Sequence, residues 1–244
     1  MNHITDNKIS LIEKTHQYVL ETDPGLSFQS VTTVLGSFFE PFDAIKIAKN
    51  LCDTHPKYKH MRPEQLIQEW QTASNHGSEV HKEIELSIKE NIEPSEPKAT
   101  SALKWLDKYC MKSDIDVFTE VIVYSTELQI AGTVDILAYD KTADVYEIID
   151  WKTSKKIKTR SFKNKMGNHP VTSNLMDCNF NHYALQLSMY RYILENYYGV
   201  KVGNQLIGHL QDNQCTGYTT PYYSNQISDI LSAISSVEEN HVIY

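Results

Sequence analysis

The chain has 244 residues, of which 41% are hydrophobic, and its formal net charge at pH 7 is −8. This length and composition suit one sizeable α/β domain with a buried core. No apolar run approaches the roughly 18 residues of a membrane span, and the polar first residues lack the apolar centre of a secretory signal. We therefore expect a soluble, intracellular protein with no membrane partner.

The four cysteines lie far apart in the sequence, at Cys52, Cys110, Cys178 and Cys215. This spacing is not that of a zinc knuckle or of a disulfide framework. It fits a reducing compartment.

The N-terminal stretch is predicted to form small local structures. Residues 16–30 are interpreted as a hairpin that turns at residues 23–25, Asp-Pro-Gly. The hydroxyls of residues 30–35 suit the cap of a short helix, and this role is assigned to Thr32 and Thr33 in particular. Three phenylalanines that follow are assigned to the core: Phe38, Phe39 and Phe42.

A long helix is predicted from residue 63 to about residue 90. Pro63 is acceptable in a first helical turn, and Glu64 is favoured near the positive end of the helix dipole. Apolar residues recur at steps of three or four, so one stripe should be buried. His81 lies next to this stripe, where a hydrogen-bonded structural histidine and a metal ligand are both compatible with the pattern.

A Pro-rich break at residues 91–98 separates this helix from a second one, predicted over residues 99–111. Residues 115–124 then alternate as a strand. Glu120 falls in phase with the apolar Phe118 and Ile122. An acid in that phase suits the edge of a polar site, although it could equally pair with Lys152 or with a backbone donor.

Residues 130–138 and 145–152 alternate apolar and polar side chains and are predicted to form an antiparallel hairpin. Because side chains on a strand alternate between faces, Asp150 and Lys152 project to the same side. Asp135 lies in an apolar setting, where a carboxylate is costly unless a cation or metal partners it. Three charged groups on two paired strands predict a divalent-metal site, with a structural Asp150–Lys152 ion pair as the alternative.

A basic segment follows the second of these strands. Residues 151–176 contain no Asp or Glu and seven of the 23 cations of the chain. Such a local positive field attracts a phosphate backbone despite the negative total. A solvated loop is the alternative interpretation of a lysine run. The seven cations are Lys152, Lys155, Lys156, Lys158, Arg160, Lys163 and Lys165.

Residues 181–197 are predicted to form a helix, residues 202–210 a strand and residues 224–239 a closing amphipathic helix. Gln186 and Tyr190 are four residues apart and share one face of the first of these helices. Packing of Tyr190 among apolar neighbours would explain the same pattern.

Four short motifs occur in a recognisable order between residues 77 and 190. They are GSEVH at 77–81, GTVD at 132–135, DWKT at 150–153 and QLSMY at 186–190. Together they carry the pattern D-x(n)-D-x-K and resemble the PD-(D/E)xK nuclease superfamily, within it the RecB-like branch. The chain departs from the pattern by having Val134 where the proline of the family name would stand.

The resemblance implies an α/β fold with a restriction-endonuclease-like core, in which helices flank a central mixed β-sheet. Residues 63–244 would form this nuclease core, and residues 1–62 would form an N-terminal hairpin and helical elaboration packed on it. The two parts are expected to make a single globular unit.

The resemblance also implies a role for each candidate residue. One or two Mg²⁺ or Mn²⁺ ions would be held by His81, Asp135, Asp150 and the Trp151 carbonyl. Lys152 would act in catalysis together with Asp135 and Asp150, with Glu120 at the edge of the site. Substrate would be bound by Gln186, Tyr190, Lys155, Lys156, Lys158 and Arg160. An iron–sulfur cluster, which some members of the branch hold on clustered cysteines, is not expected.

The implied function is a metal-dependent DNA exonuclease of replication, recombination or repair, cellular or virus-encoded, that acts on DNA ends or single strands. No Gly-x-x-x-x-Gly-Lys-Ser/Thr phosphate loop occurs in the chain, so no built-in ATPase is expected. A structure-specific or restriction-like endonuclease is one alternative. A non-cleaving nucleic-acid-binding module of the same fold is another. The sequence indicates no particular protein partner.

Overall fold

The computed structural model of the protein describes residues 4–5 and 8–241. The N-terminal elements are β1 (Ile9–Ile12), β2 (Gln17–Leu20), β3 (Gln29–Ser30), α1 (Val31–Gly36) and α2 (Ala44–Thr54). Next come α3 (Pro63–Glu90), α4 (Pro97–Cys110), β4 (Ile115–Ser125), β5 (Ile130–Asp140) and β6 (Val145–Lys152). After the 3₁₀ turns Phe162–Asn164 and Pro170–Thr172 come α5 (Asn179–Ile193), a π-helical turn (Leu194–Tyr198), β7 (Val202–Gln211), β8 (Gln214–Thr219) and α6 (Ser224–His241). None of the helices in this described part combines the length and apolarity that a membrane crossing requires.

Strands β3 to β8 form one mixed sheet, and β1 and β2 form a separate antiparallel hairpin. Strand β5 pairs antiparallel with β4 and with β6, whereas β6 pairs parallel with β7. Strand β8 closes the far edge antiparallel to β7. The expected α/β class, with a mixed sheet, flanking helices and an N-terminal hairpin, is confirmed.

The sheet is buried on both faces because successive strand residues point to opposite sides. Ile149 packs with α3 and α4, while its neighbour Ile148 packs with α1, α5 and α6. The first layer includes Val80, Ile84, Ala102, Leu106 and Trp151. The second includes Val31, Val34, Leu185, Met189, Ile193, Ile227 and Ile230.

The N-terminal hairpin differs from the predicted one. Its strands are β1 and β2, so the turn lies at residues 13–16, where His16 has a left-handed φ of 54°. A turn at residues 23–25 exists but follows the hairpin, with the Leu26 amide donating to the Asp23 carbonyl. Residues 29–30 cannot complete a local hairpin because they pair with β5 instead. Long-range pairing therefore overrides the local turn signal.

Two further N-terminal predictions are corrected. The cap of α1 is Ser30, whose hydroxyl accepts a hydrogen bond from the Thr33 amide at 3.0 Å, rather than Thr32 or Thr33. Phe38 and Phe39 are buried as expected, but the Phe42 side chain is 67% exposed and contacts Trp70 only with its ring edge. Helix α2 and strand β8 are elements that the sequence pattern did not indicate.

One edge of β5 is shared by two partners. Strand β4 occupies the other edge along the whole of β5. On the shared edge, β3 pairs with residues 130–131 and β6 pairs with residues 136–140. Residues 132–135 between them have no strand partner on this edge. The sheet is therefore open at this point.

We expect Gly208→Ala to destabilise the fold. A Cβ at position 208 would lie 2.3 Å from Cε3 of Trp151, whose ring is 1% exposed and packs edge-on against Trp105. Overpacking of a filled core costs about 1–3 kcal/mol. Urea unfolding should show a lower midpoint for this variant. The matched control is Gly36→Ala, where a Cβ would meet nothing within 4 Å, and its midpoint should not fall.

Candidate metal centre

The candidate site lies where β5 and β6 separate. Their ladder ends at the pair Ile136–Ile149, one residue before Asp135 and Asp150. There the Asp135 carboxylate enters the gap, and its Oδ2 accepts a hydrogen bond of 2.7 Å from the Trp151 amide. This bond takes the place of a hydrogen bond between the two strands and fixes the Asp135 side chain. Asp135 as a whole is 8% exposed.

Glu120 interrupts β4 directly opposite Asp135. The strand pairs on either side, Thr119–Ile136 and Val121–Val134, keep the same register, but Glu120 itself has a left-handed φ of 53°. A non-glycine residue in this region is strained, and the surrounding pairing must hold it there. The strain marks the point at which β4 and β5 carry two facing acids.

At Glu120 the alternation of β4 shifts by one residue, so that the odd-numbered side chains move from one layer of the core to the other. Before it, Val117 packs with α3 and α4, whereas after it Val121 and Val123 pack with α1, α5 and α6. These are all odd-numbered positions, so a regular strand would keep them on one face. The expected phase of Glu120 with Phe118 therefore does not hold, and Glu120 lies instead beside His81 of α3.

Three side chains meet at this point: His81, Glu120 and Asp135. Each offers one ligand atom, and these atoms lie within 4.8 Å of one another. His81 Nδ1 lies 3.4 Å from Asp135 Oδ2. One imidazole nitrogen with two carboxylate oxygens is a donor set that divalent ions accept. The group could therefore bind a metal ion.

The two carboxylates of this cluster disfavour each other's charge in the metal-free protein. Burial raises the pKa of Glu120 to about 8, and the facing Asp135 carboxylate adds to the rise. Burial alone would also raise the pKa of Asp135, but His81, Lys152 and the Trp151 amide outweigh it and lower this pKa. Burial alone would lower the pKa of His81, yet Asp135 raises it overall. A bound cation would relieve the repulsion between the two carboxylates.

Asp150 lies beside this cluster but outside the three-ligand group. Its Oδ2 contacts the Lys152 ammonium, and its Oδ1 accepts a hydrogen bond of 3.2 Å from Gln186 Nε2. Burial raises the pKa of Asp150 to about 6, although Lys152 opposes the rise, and Asp135 contributes to it. Asp150 is thus close enough to interact electrostatically with the cluster. Its role as a ligand stays a prediction.

Lys152 is held as a cation. Burial would lower its pKa, but contact with Asp150 and the nearby Asp135 charge raise it. The ammonium also lies 4.7 Å from the centre of the Tyr183 ring, a cation–π contact that the sequence did not suggest. Its strand position and its partners therefore fix a positive charge at the margin of the cluster.

Gln186 and Tyr190 of α5 face the same region. Gln186 Nε2 lies 3.1 Å from the Tyr190 hydroxyl as well as 3.2 Å from Asp150. The Tyr190 ring fills the space over Gly132, where a Cβ would lie 2.5 Å from its Cε1. Gln186 therefore makes polar contacts that face the site, while the Tyr190 ring packs against β5. The Tyr190 ring thus packs on the face of β5 at this open stretch.

Sequence reasoning missed the contribution of the N-terminal hairpin. The Tyr18 hydroxyl lies 3.1 Å from Thr133 Oγ1, two residues before Asp135 on β5. Burial raises the pKa of Tyr18, and the Glu120 charge adds to this rise. The two partners are 115 residues apart, so no local pattern could have joined them.

The remaining candidates contribute no side chain to the three-ligand group, and the role of the Trp151 carbonyl as a ligand stays a prediction. Trp151 contacts Asp135 through its amide, while its ring packs in the layer of α3 and α4. The four basic candidates have exposed side chains: Lys155, Lys156, Lys158 and Arg160. Their substrate-binding role stays a prediction.

Comparisons with known proteins give little further information. No protein-family description matches the chain, and no curated protein matches it either. Among 22 matching chains of solved structure is the crystal structure of SSO0001, which is 13% identical with a TM-score of 0.39. That match covers 86% of this chain and 75% of the other.

We expect Glu120→Gln to stabilise the metal-free protein at alkaline pH. The folded protein retains the Glu120 proton between the ordinary pKa of 4.5 and about 8, whereas the unfolded chain releases it. Stability of the wild type therefore falls as pH rises through this window. The variant avoids that loss and should gain about 1–2 kcal/mol above it, with no such gain below it. Urea unfolding with a chelator present, at both ends of the window, measures the difference.

The matched control is Glu79→Gln, an exposed position on α3, which should show no pH-dependent gain. Added Mn²⁺ should stabilise the wild type more than Glu120→Gln, because the variant lacks one anionic ligand. Equal stabilisation of both proteins by Mn²⁺ would remove Glu120 from the metal site.

Proposed function

We propose that the protein is a metal-dependent deoxyribonuclease with a restriction-endonuclease-like core, related to the RecB-like branch of the PD-(D/E)xK nucleases. One observation carries this proposal. A histidine from a helix and two carboxylates from adjacent strands converge beside a half-buried lysine that keeps its charge. This combination matches the needs of phosphodiester hydrolysis better than those of structural packing. Exonuclease action in replication, recombination or repair is the form that we favour.

The donor set fits one or two Mg²⁺ or Mn²⁺ ions. His81, Glu120 and Asp135 would hold them, with Asp150 as the nearest further carboxylate. Such an ion lowers the pKa of a bound water and neutralises charge on the phosphate oxygens. The repulsion between Glu120 and Asp135 in the metal-free protein favours ion binding at this point.

Lys152 supplies a fixed positive charge rather than a base. Its raised pKa keeps it protonated, so its ammonium can stabilise negative charge that develops on the phosphate. Asp150 holds the ammonium, and Gln186 in turn holds Asp150. The chain Lys152–Asp150–Gln186 thus positions the charge before substrate arrives.

The basic segment after β6 supports a nucleic-acid substrate. It continues directly from Lys152, and Lys155, Lys156, Lys158 and Arg160 are all exposed on it. Exposed cations that neutralise phosphates release counterions and so favour binding of nucleic acid. Catalytic and binding charges would therefore lie next to each other in the chain.

We expect Lys152→Met to abolish most of the nuclease activity. The variant removes a preorganised charge from the site, which should lower the rate of cleavage by about 100-fold or more. The measurement is release of label from end-labelled linear DNA in Mg²⁺ or Mn²⁺, with a chelator blank. Lys141→Met is the matched control, because Lys141 lies in the turn after β5 and forms exposed ion pairs with Asp114 and Asp116.

Two results would contradict this assignment. The first is full activity of Lys152→Met in a preparation whose folding is verified by circular dichroism. The second is cleavage by the wild type that persists at the same rate in excess chelator. A wild-type protein that binds DNA but never cuts it, whatever the metal, would favour the non-cleaving module.

The exonuclease form of the proposal predicts that covalently closed circular DNA survives while linear DNA of the same sequence is degraded. An exonuclease needs an end, and a closed circle has none. Gel analysis of both substrates in one reaction makes the comparison internal. Degradation of the closed circle at a comparable rate would replace the exonuclease with the endonuclease alternative.

A further inference from the structure

The basic segment carries an exposed aromatic side chain that the proposed chemistry does not use. Phe162 is 83% exposed, at the start of the 3₁₀ turn Phe162–Asn164. Arg160 and Lys163 flank it in sequence, and the Lys163 ammonium lies 5.5 Å from the ring centre. A single exposed aromatic residue is common on protein surfaces. Its rigid and cationic surroundings distinguish this one.

The cations around Phe162 are available to a ligand. Within the described residues, no acidic side chain pairs with five exposed cations of the segment. These are Lys155, Lys156, Lys158, Arg160 and Lys163. Lys165 differs, because its ammonium lies 2.8 Å from both Glu40 and Asp177. Glu40 and Asp177 therefore pair with Lys165, and the other five cations have no acidic partner among the described residues.

The segment is held in place at its beginning. The Asn179 side chain, at the start of α5, accepts a hydrogen bond from the Lys158 amide at 2.8 Å. The same side chain donates to the Lys156 carbonyl at 2.9 Å. The Phe180 amide donates to the Lys158 carbonyl at 3.3 Å. The chain is therefore anchored at Lys158, four residues before Phe162.

The turn that carries Phe162 is also closed by hydrogen bonds of its own. The Ser161 hydroxyl donates to the Lys165 carbonyl at 2.6 Å, and the Lys165 amide donates to the Phe162 carbonyl at 3.2 Å. Between them, Lys163 and Asn164 have left-handed φ values of 54° and 56°. Strained residues persist where the surroundings hold them, often at binding sites. The turn thus presents the ring outward at little further entropic cost to a ligand.

The position of the turn relates it to the candidate metal centre. Asn179, which anchors Lys158, is seven residues before Gln186 on the same helix, roughly 10 Å along its axis. The segment also begins at Lys152 itself. A nucleic-acid strand that lies along the segment could therefore reach both the turn and the centre.

We propose that Phe162 stacks on an unpaired nucleobase while Arg160 and the neighbouring lysines hold the adjacent phosphates. Every base has a π-face, so such stacking needs an unpaired base but not a particular sequence. Bases within a duplex are already stacked on each other and do not offer this face. The substrate at this point is thus a single-stranded segment. This inference rests on the proposed function, since it assigns part of the substrate of the same site.

The test measures binding without cleavage. The protein, in excess chelator, is titrated into a fluorescent oligo-dT strand and into a blunt DNA hairpin of equal length, whose arms are joined by a non-nucleotide linker so that it has no unpaired base. Phe162→Ala should weaken binding of the single strand about tenfold and change binding of the hairpin less than twofold. Phe162→Trp, which retains a π-face, should restore single-strand binding. Phe42→Ala removes another exposed ring, 67% exposed and outside the basic segment, and should leave both affinities unchanged.

A second readout reports stacking itself. A strand with one 2-aminopurine among thymines should lose emission on binding to the wild type, and this quenching should be smaller with Phe162→Ala at saturation. Unchanged single-strand affinity of Phe162→Ala, or an equal loss on the hairpin, overturns the proposal. Cleavage is measured separately in Mn²⁺. Absence of cleavage with intact Phe162-dependent binding refutes the nuclease but not the stacking, and the reverse result refutes only the stacking.

Discussion

The candidate site depends on one backbone feature, the separation of β5 from β6 after the pair Ile136–Ile149. A continuous ladder would bring Asp135 and Asp150 directly opposite each other and would use the Trp151 amide in strand pairing. Separation frees this amide for the Asp135 carboxylate. It also leaves residues 132–135 of β5 without a strand partner on this edge, next to the Tyr190 ring that packs over Gly132. The sheet is thus opened where charged groups need room, and side chains satisfy the backbone that pairing leaves unsatisfied.

Burial makes the ionic groups at this opening sensitive to one another. Glu120 and Asp135 face each other across two strands, and their repulsion is part of the reason that the pKa of Glu120 is raised. Next to them, the buried Asp150 pairs with the half-buried Lys152. Buried ion pairs contribute little net stability compared with apolar packing. The left-handed backbone at Glu120 adds strain to this cost. An arrangement that is costly in several independent ways is better explained by function than by folding.

The two parts of the proposed enzyme use charge differently. At the opening of the sheet the Asp135 and Asp150 carboxylates are buried and held by hydrogen bonds, which suits chemistry at a phosphate. On the segment after β6 five exposed cations have no acidic partner among the described residues, which suits attraction of a flexible polyanion. Asn179 holds this segment on the helix that carries Gln186. The exposed basic segment and the candidate centre thereby share one support, helix α5.

Much of the fold is encoded locally, because side-chain alternation and helical periodicity report burial within a few residues. The hairpin of β5 and β6, the long helix with His81 and the helix with Gln186 could all be predicted on this basis. The charge pattern of Asp135, Asp150 and Lys152 likewise indicated a polar site from spacing alone. The basic segment was apparent from composition.

Tertiary structure decided which of these charges meet. The strand pattern placed Asp150 with Asp135, but its carboxylate pairs with Lys152 and Gln186, and Glu120 joins His81 and Asp135 instead. The grouping of Glu120 with His81 and Asp135 follows from the left-handed backbone of Glu120 inside β4 and from the point at which β5 and β6 separate. Neither feature has a local sequence signal, because both depend on pairing between segments distant in the chain. The contact of Tyr18 with Thr133, 115 residues apart, has the same origin. Local physics thus determined the elements, and long-range pairing determined the site.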